Sequence, residues 1–222
     1  MEKGNFDGHY VEWRKSRIKV TVDHYGEEFF KGKTLLEVGC GWGDTGKAFS
    51  DLGATVTVSD ARTEHVGEAK SRYGDKITCL VVDSESTTWD YDTDFDIIIH
   101  WGLLYHLKDP EQNLRLFSNH CKHIVLETEV LDHDDPYCYH NIKEERRWNH
   151  GAWGMAFGGT GSRPTPAFVE RVLKESGMIV TPLENPEKCN AAFHKYDWIP
   201  KNKKGWFSGQ RKFWFGKKGS SK

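Results

Sequence analysis

The chain has little of what would place it in a membrane or hold it together by disulfides. Its five cysteines (Cys40, Cys79, Cys121, Cys138 and Cys189) are odd in number, scattered, and form no Cys-x-x-Cys pair. That spacing excludes a disulfide framework and fits reduced thiols in a cytoplasmic protein. No run of apolar residues approaches the ~20 needed to span a bilayer. The opening stretch MEKGNFDGHY lacks the apolar core of a secretion signal. Charge of one sign is also missing: 31 basic and 33 acidic residues leave a formal net charge of -2, so nothing global attracts nucleic acid or a membrane. There is no internal repeat and no low-complexity tract. What the chain does have is aromatic residues, nine Trp among them, and enough apolar material in 222 residues for one sizeable core.

From residue 33 onward, strand-like and helix-like segments alternate. TLLEV (34–38), ATVTVSD (54–60), KITCLVVD (76–83), FDIIIHWG (95–102) and HIVLETEV (123–130) read as strands. Between them, DTGKAFSDLG (44–53), ARTEHVGEAKSRYG (61–74) and DPEQNLRLFSNHC (109–121) read as helices, the last with Asp109 as its cap and Pro110 at its first position. A further helix is expected at 165–177, a strand at 178–184 and a final strand at 211–216. This alternation predicts a doubly wound α/β fold around a mostly parallel sheet. Residues 1–32 suggest a helix pair packed ahead of the sheet, a lid whose residues include Tyr10, Trp13, Arg14 and Arg17, or an ordinary packing element. Residues 131–163 have no clean period and form an irregular insert, which in a compact domain is usually functional.

The first strand runs into glycines, LLEVGCGWG (35–43). Three glycines together imply that something must approach the backbone closely. A dinucleotide site needs Gly-x-Gly-x-x-Gly, but after Gly39 and Gly41 the third position is Asp44. A phosphate-cradling loop ending in Lys-Ser or Lys-Thr is absent. The pattern present is Glu-x-Gly-x-Gly-x-Gly. It resembles motif I of the class I S-adenosylmethionine-dependent methyltransferases, over roughly residues 33–130 in strand order and more loosely beyond 165.

The resemblance implies a Rossmann-like sheet of seven strands with an antiparallel last strand, and S-adenosylmethionine as cofactor. Glu37 would then meet the cofactor's ammonium, while Gly39, Cys40 and Gly41 would let the backbone lie against methionine and ribose. Asp60, with Ala61 beside it, would accept the ribose hydroxyls, or else Asp60 is a helix cap. Asp83 would accept the adenine amino group and the Ser84 N–H would meet a ring nitrogen, or Asp83 caps a turn. His100 and Trp101 end the fourth strand, where the family's backbone faces the ammonium.

The stretch FDIIIHWGLLYHLKDP (95–110) is similar to the fourth strand and loop of the small-molecule and RNA-modifying enzymes of that class. It implies that His106 lies near the transferred methyl, as a general base or as a shaper of the pocket, with Tyr105 beside the acceptor. No Asn-Pro-Pro-Tyr motif and no cysteine sits in this loop, which weighs against amino-methylation of DNA and against covalent cytosine chemistry. The insert is expected to cap the acceptor, with Trp153 and Arg163 as substrate contacts. Its His133, Cys138 and His140, near three aspartates, match no tight zinc pattern and read as a polar loop or a metal site. The tail KNKKGWFSGQRKFWFGKK (201–218) reads as the last strand rather than a nucleic-acid contact. The function expected is methyl transfer to oxygen or nitrogen of a small-molecule or sugar-like acceptor. The alternatives are an RNA-modifying transferase and a catalytically silent cofactor-binding scaffold, with a nicotinamide oxidoreductase remote. The sequence does not indicate an oligomeric state.

Overall fold

A computed structural model describes residues 6, 8–143, 156–202 and 209–219. The chain opens with α1 (His9–Tyr25) and a 3-10 turn (Glu27–Phe30). There follow β1 (Thr34–Val38), α2 (Asp44–Asp51), β2 (Thr55–Asp60), α3 (Thr63–Tyr73), β3 (Thr78–Val81) and β4 (Phe95–Trp101). After a short 3-10 turn (Leu104–His106) come α4 (Pro110–Asn119), β5 (Cys121–Glu129), β6 (Tyr139–Lys143), β7 (Thr160–Pro164), α5 (Pro166–Glu175), β8 (Met178–Pro182) and β9 (Arg211–Lys218).

Seven of these strands form one sheet in the order β3-β2-β1-β4-β5-β9-β8. β1 to β5 pair in parallel, whereas β9 runs antiparallel to both β5 and β8. The expected doubly wound, Rossmann-like sheet with an antiparallel last strand is what the chain builds. Its central strands are buried on both faces, which is why they read as continuous apolar runs. Leu35, Ile97, Ile99 and Val125 point to one core with Trp13, Phe30 and Phe49 from the helical side. Leu36, Val38, Ile98 and Leu126 point to the other, with Leu114 and Phe117 of α4 and Phe168 and Val172 of α5. The caps are chemical: Asp109 accepts the Gln112 N–H ahead of α4, and Thr165 accepts the Phe168 N–H ahead of α5.

Two regions differ from the sequence reading. The first 32 residues hold one 17-residue helix and a 3-10 turn rather than a helix pair. The inner face of α1 lies against the sheet, with Trp13, Arg17, Val20 and Thr21 buried. The insert is not wholly irregular: β6 and β7 pair antiparallel, Tyr139 opposite Pro164 and Lys143 opposite Thr160. Its polar, Gly- and Pro-containing strands lack the alternation that marks a half-buried strand, so the hairpin left no period to read.

Phe49 is fully buried and its ring lies 5.0 Å from Phe30 and 6.0 Å from Trp101. Phe49→Ala should lower the unfolding free energy in urea by about 3–5 kcal/mol without changing the slope of the transition.

Candidate active site

A cavity of about 1150 Å³, counted to its open mouth, lies at the carboxyl ends of β1, β2 and β4. β1 and β4 are neighbours whose crossovers leave in opposite directions, and ligands of open α/β sheets bind at that switch point. The wall carries Glu37, Gly39, Cys40, Asp60, Ala61, Asp83, Ser84, Trp101, Tyr105 and His106, so most of the residues singled out in the sequence meet in one place.

The loop after β1 is shaped by glycine. Gly39 and Gly41 have φ of 63° and 54°, and a Cβ at Gly41 would stand 2.9 Å from the Phe6 ring. Both the backbone conformation and the space require the missing side chain. The loop is fastened to the end of β2 through Asp60. One carboxylate oxygen accepts the Gly41 N–H at 3.0 Å, and the other accepts the Arg62 N–H at 2.9 Å. His65 Nδ1 stands 3.1 Å from the first of these. Asp60 therefore joins two loops and still faces the cavity.

Glu37 is buried at the end of β1, where its carboxylate accepts the Gly46 N–H at 2.7 Å. Burial pushes its carboxyl up to about 7, against the opposing pull of Gly46, Thr45 and Arg17. Burial also raises the Cys40 thiol, with the Glu37 and Asp60 charges adding to it, so Cys40 stays a neutral thiol. Asp83 accepts the Glu85 N–H at 3.0 Å and tightens the turn after β3. The Ser84 carbonyl accepts from Asn113 Nδ2 at 2.8 Å, and Asn113 Oδ1 lies 2.8 Å from His100 Nε2. That chain ties the β3 loop to β4.

Three of the expected residues that the structure describes, Gly41, His100 and Arg163, are not on the cavity wall. The His100 ring packs beside Asn113 and Phe117 and is not on the cavity wall, so only its backbone is at the switch point. Arg163 is 4% exposed and does not line the cavity. Its guanidinium is spent on Glu129 (2.9 Å), the Tyr105 carbonyl (2.7 Å) and the Ser162 carbonyl (3.0 Å). It anchors the wall from behind instead of touching what the cavity holds. Trp153, with Arg146, Arg147, Trp148 and His150, lies outside the described residues.

Among the described residues no three His, Cys, Asp or Glu side chains converge on a metal position. Asp132 accepts backbone N–H groups of Lys201 and Asn202, and His133 accepts that of Asp135, so these groups fasten turns. The tail's last strand is β9, inserted between β5 and β8.

The rest of the wall includes Tyr10, Trp13, Arg14 and Arg17 of α1, which the sequence offered as a lid or a packing element, and Trp42, Thr45, Arg62 and His65, which it did not single out. Arg14 of α1 reaches Asp44 at 3.1 Å, and the Tyr73 hydroxyl donates to the same carboxylate at 2.6 Å. Asp44 thus puts a negative charge at the N-terminus of α2, where a diphosphate would need donors. Arg17 gives one terminal nitrogen to Glu127 at 3.3 Å and stacks 3.7 Å from the Trp13 ring centroid. Five acids (Glu37, Asp44, Asp60, Asp83, Glu85) face three arginines (Arg14, Arg17, Arg62) around the cavity. That excess suits a ligand with a cationic centre, hydroxyls and no phosphate, and S-adenosylmethionine meets this description.

A sequence profile described as a methyltransferase domain matches residues 10–183. The chain belongs to this family, the class I methyltransferases that take their methyl group from S-adenosylmethionine. Across 110 residues, 45% of this chain, it is 29% identical to the ubiquinone biosynthesis O-methyltransferase of Psychrobacter arcticus, and the match spans 43% of that relative. Its fold is similar to the N-terminal domain of EvdMO1, crystallised with S-adenosylhomocysteine: TM-score 0.72, 16% identity, over 92% of this chain and 81% of that one. It is also similar to YcgJ of Bacillus subtilis (TM-score 0.65, 14% identity, 93% and 100% covered). A third similar structure is the magnesium protoporphyrin IX methyltransferase of Synechocystis PCC 6803 (TM-score 0.59, 12% identity, 94% and 81% covered).

The buried titratable groups make stability depend on pH in two opposing ways. Burial lowers His100 to about 4, and burial together with the Arg211 and Arg17 charges lowers His194 to about 3, so both stay neutral in the fold. Unfolded histidine binds its proton near 6.5, so their stabilising contribution is complete above that pH and is lost on acidification, about 2 kcal/mol each by pH 5. Glu37 is raised and acts the other way, returning roughly 2 kcal/mol between pH 7 and pH 5. Urea unfolding of the ligand-free protein should therefore show a fall of about 2 kcal/mol over that interval, and Glu37→Gln should roughly double it.

Proposed function

We propose that the chain methylates an oxygen or nitrogen of a small-molecule acceptor in the cytoplasm, with His106 taking the acceptor's proton. The observation that carries this is the placement of His106. It ends the 3-10 turn after β4, on the cavity wall, with its ring centroid 4.0 Å from that of Tyr105. Bound in the acid-rich half, S-adenosylmethionine supplies an electrophilic methyl on its sulfonium.

The two ends of the cofactor's amino-acid group need one anion and one cation, and Glu37 and Arg17 stand on the same wall. Arg17 keeps a terminal nitrogen without a protein partner among the described residues and would take the carboxylate. Glu37 would take the ammonium, which favours its ionised form. Asp60 would accept the ribose hydroxyls, charge-assisted bonds worth roughly 1.5–3 kcal/mol each. Asp83 and Ser84 would meet the adenine. The acceptor's half is walled by Tyr10, Trp13, Tyr105 and His106, rings that suit a compact organic molecule. The name of the curated relative supports oxygen as the methylated atom. The five free thiols fit a reducing compartment.

Labelled S-adenosylmethionine incubated with cell extract should label the small-molecule fraction; label confined to RNA or protein would overturn this reading. In calorimetry, Asp60→Asn should weaken S-adenosylhomocysteine binding at least tenfold and also lower Tm, because the same carboxylate holds the Gly41 and Arg62 loops. His106→Asn should leave that binding alone, lower kcat roughly 10²–10⁴-fold, and remove the acid limb of the rate–pH profile. A persisting acid limb would assign His106 to shaping the pocket.

A further inference from the structure

We propose that Tyr105, aimed by the buried Arg211, selects the methyl acceptor, and that the acceptor carries a second oxygen adjacent to the one that is methylated. The proposal rests on the small-molecule reading above.

Tyr105 is 9% exposed and lines the cavity, and its ring centroid lies 4.0 Å from that of His106. Its backbone and its hydroxyl are fixed by different arginines. Arg163 Nη1 donates to the Tyr105 carbonyl at 2.7 Å, and Arg211 Nη2 donates to the Tyr105 hydroxyl at 3.0 Å. The two guanidiniums stand 4.9 and 4.7 Å from the Tyr105 ring centroid. Arg211 cannot swing away: Nε donates to His194 at 3.1 Å and Nη1 to Glu127 at 2.9 Å, so every nitrogen is engaged.

A phenol hydroxyl has one hydrogen to give. Because Arg211 already donates to the oxygen, that hydrogen must find an acceptor elsewhere, and among the described residues it has none. Burial raises the phenol far above any physiological pH, so the group stays O–H. A buried donor on a cavity wall with nothing to receive its hydrogen is costly unless the bound molecule supplies a lone pair. Tyr10 of α1 adds a second hydroxyl to the same cavity, also without a hydrogen-bond partner among the described residues.

The adjacency of His106 sets the chemistry. A proton-taking nitrogen next to a proton-giving phenol matches a molecule with a hydroxyl at one position and a lone-pair oxygen at the neighbouring one. Catechols and vicinal diols of sugars have that arrangement. A protonated amine has no lone pair to offer Tyr105. Arg211 acts only through Tyr105 and is a positioning residue; Tyr105 is the specificity residue.

The test uses the full chain, labelled S-adenosylmethionine, and a panel of catechols and methyl glycosides paired with counterparts lacking one of the two oxygens. The expected result is transfer to members of the dioxygen set with kcat/KM at least tenfold above their partners. Tyr105→Phe keeps the ring between the two guanidiniums. It should raise KM for the dioxygen acceptor about tenfold, keep kcat within about threefold, leave S-adenosylhomocysteine binding unchanged, and reduce the discrimination to threefold or less. Arg211→Lys should lower Tm and reproduce the rise in KM, with no further rise in the double variant, because both changes remove one interaction. The proposal is overturned if Tyr105→Phe retains the discrimination or weakens S-adenosylhomocysteine binding. It is also overturned if no dioxygen compound is used while the small-molecule fraction of cell extract is labelled. An unlabelled small-molecule fraction removes the reading on which the proposal rests, and the proposal with it.

Discussion

One buried chain of alternating charge runs behind the whole cavity. Arg17 of α1 meets Glu127 of β5, Glu127 meets Arg211 of β9, Arg211 reaches Glu129 of β5, and Glu129 meets Arg163 of β7. None of the five is more than 7% exposed. Taking ions out of water costs several kcal/mol each, which only close pairing offsets, so no member can be lost without stranding another. The chain therefore specifies position more than it adds stability. It fixes the first helix, the last strand and the insert's hairpin to the two inward-facing glutamates of one central strand. Three guanidiniums stand against two carboxylates, and the unmatched positive end is Arg17, at the cavity.

The opposite half of the cavity is made by a different device. There the loop after β1 turns on Gly39 and Gly41, whose missing side chains leave room for Leu103 and Phe6, and it is held against β2 by the Asp60 carboxylate and by the Cys40 N–H donating to the Ser59 carbonyl. Acids on the tips of β1, β2 and β3 then line a space in which the start of α2, where a phosphate would be cradled, carries the acid Asp44. Acid tips line one part of this cavity, and the arginine chain lies behind another, where Arg211 and Arg163 hold Tyr105.

What the sequence made legible follows from this division. The alternation of strands and helices, the glycine loop and the acids at the strand tips are local signals, because each depends on neighbours within a few residues. TLLEV is largely apolar because β1 is buried on both faces, and its one acid, Glu37, accepts the Gly46 N–H at the start of α2. His100 was legible only as a position; its ring turned out to serve Asn113 on the far face. The arginine chain was not legible at all. Glu127 and Glu129 alternate in HIVLETEV as a strand's same-face pair should, but their partners lie 110, 84 and 34 residues away. Nothing in a local window tells a paired buried glutamate from a solvated one. Arg163 was read as a substrate contact for the same reason: an arginine in a polar insert gives no sign that a carboxylate waits inside the sheet.

The same reasoning changes what α1 is for. Trp13 donates its indole N–H to the Tyr196 hydroxyl at 2.7 Å, and that hydroxyl donates to Glu127 at 3.0 Å. Trp13 also stacks on His194, which accepts from Arg211. Glu127 is thus satisfied by three groups, two of which depend on α1 staying where it is. If the helix lifted, Glu127 would lose its Arg17 partner and Tyr196 its Trp13 donor, both inside a core with no water to replace them. A flap that opens with each turnover could not be built this way. Tyr10, Trp13, Arg14 and Arg17 make the first helix a wall of the cavity, and the buried charge behind Arg17 holds it there.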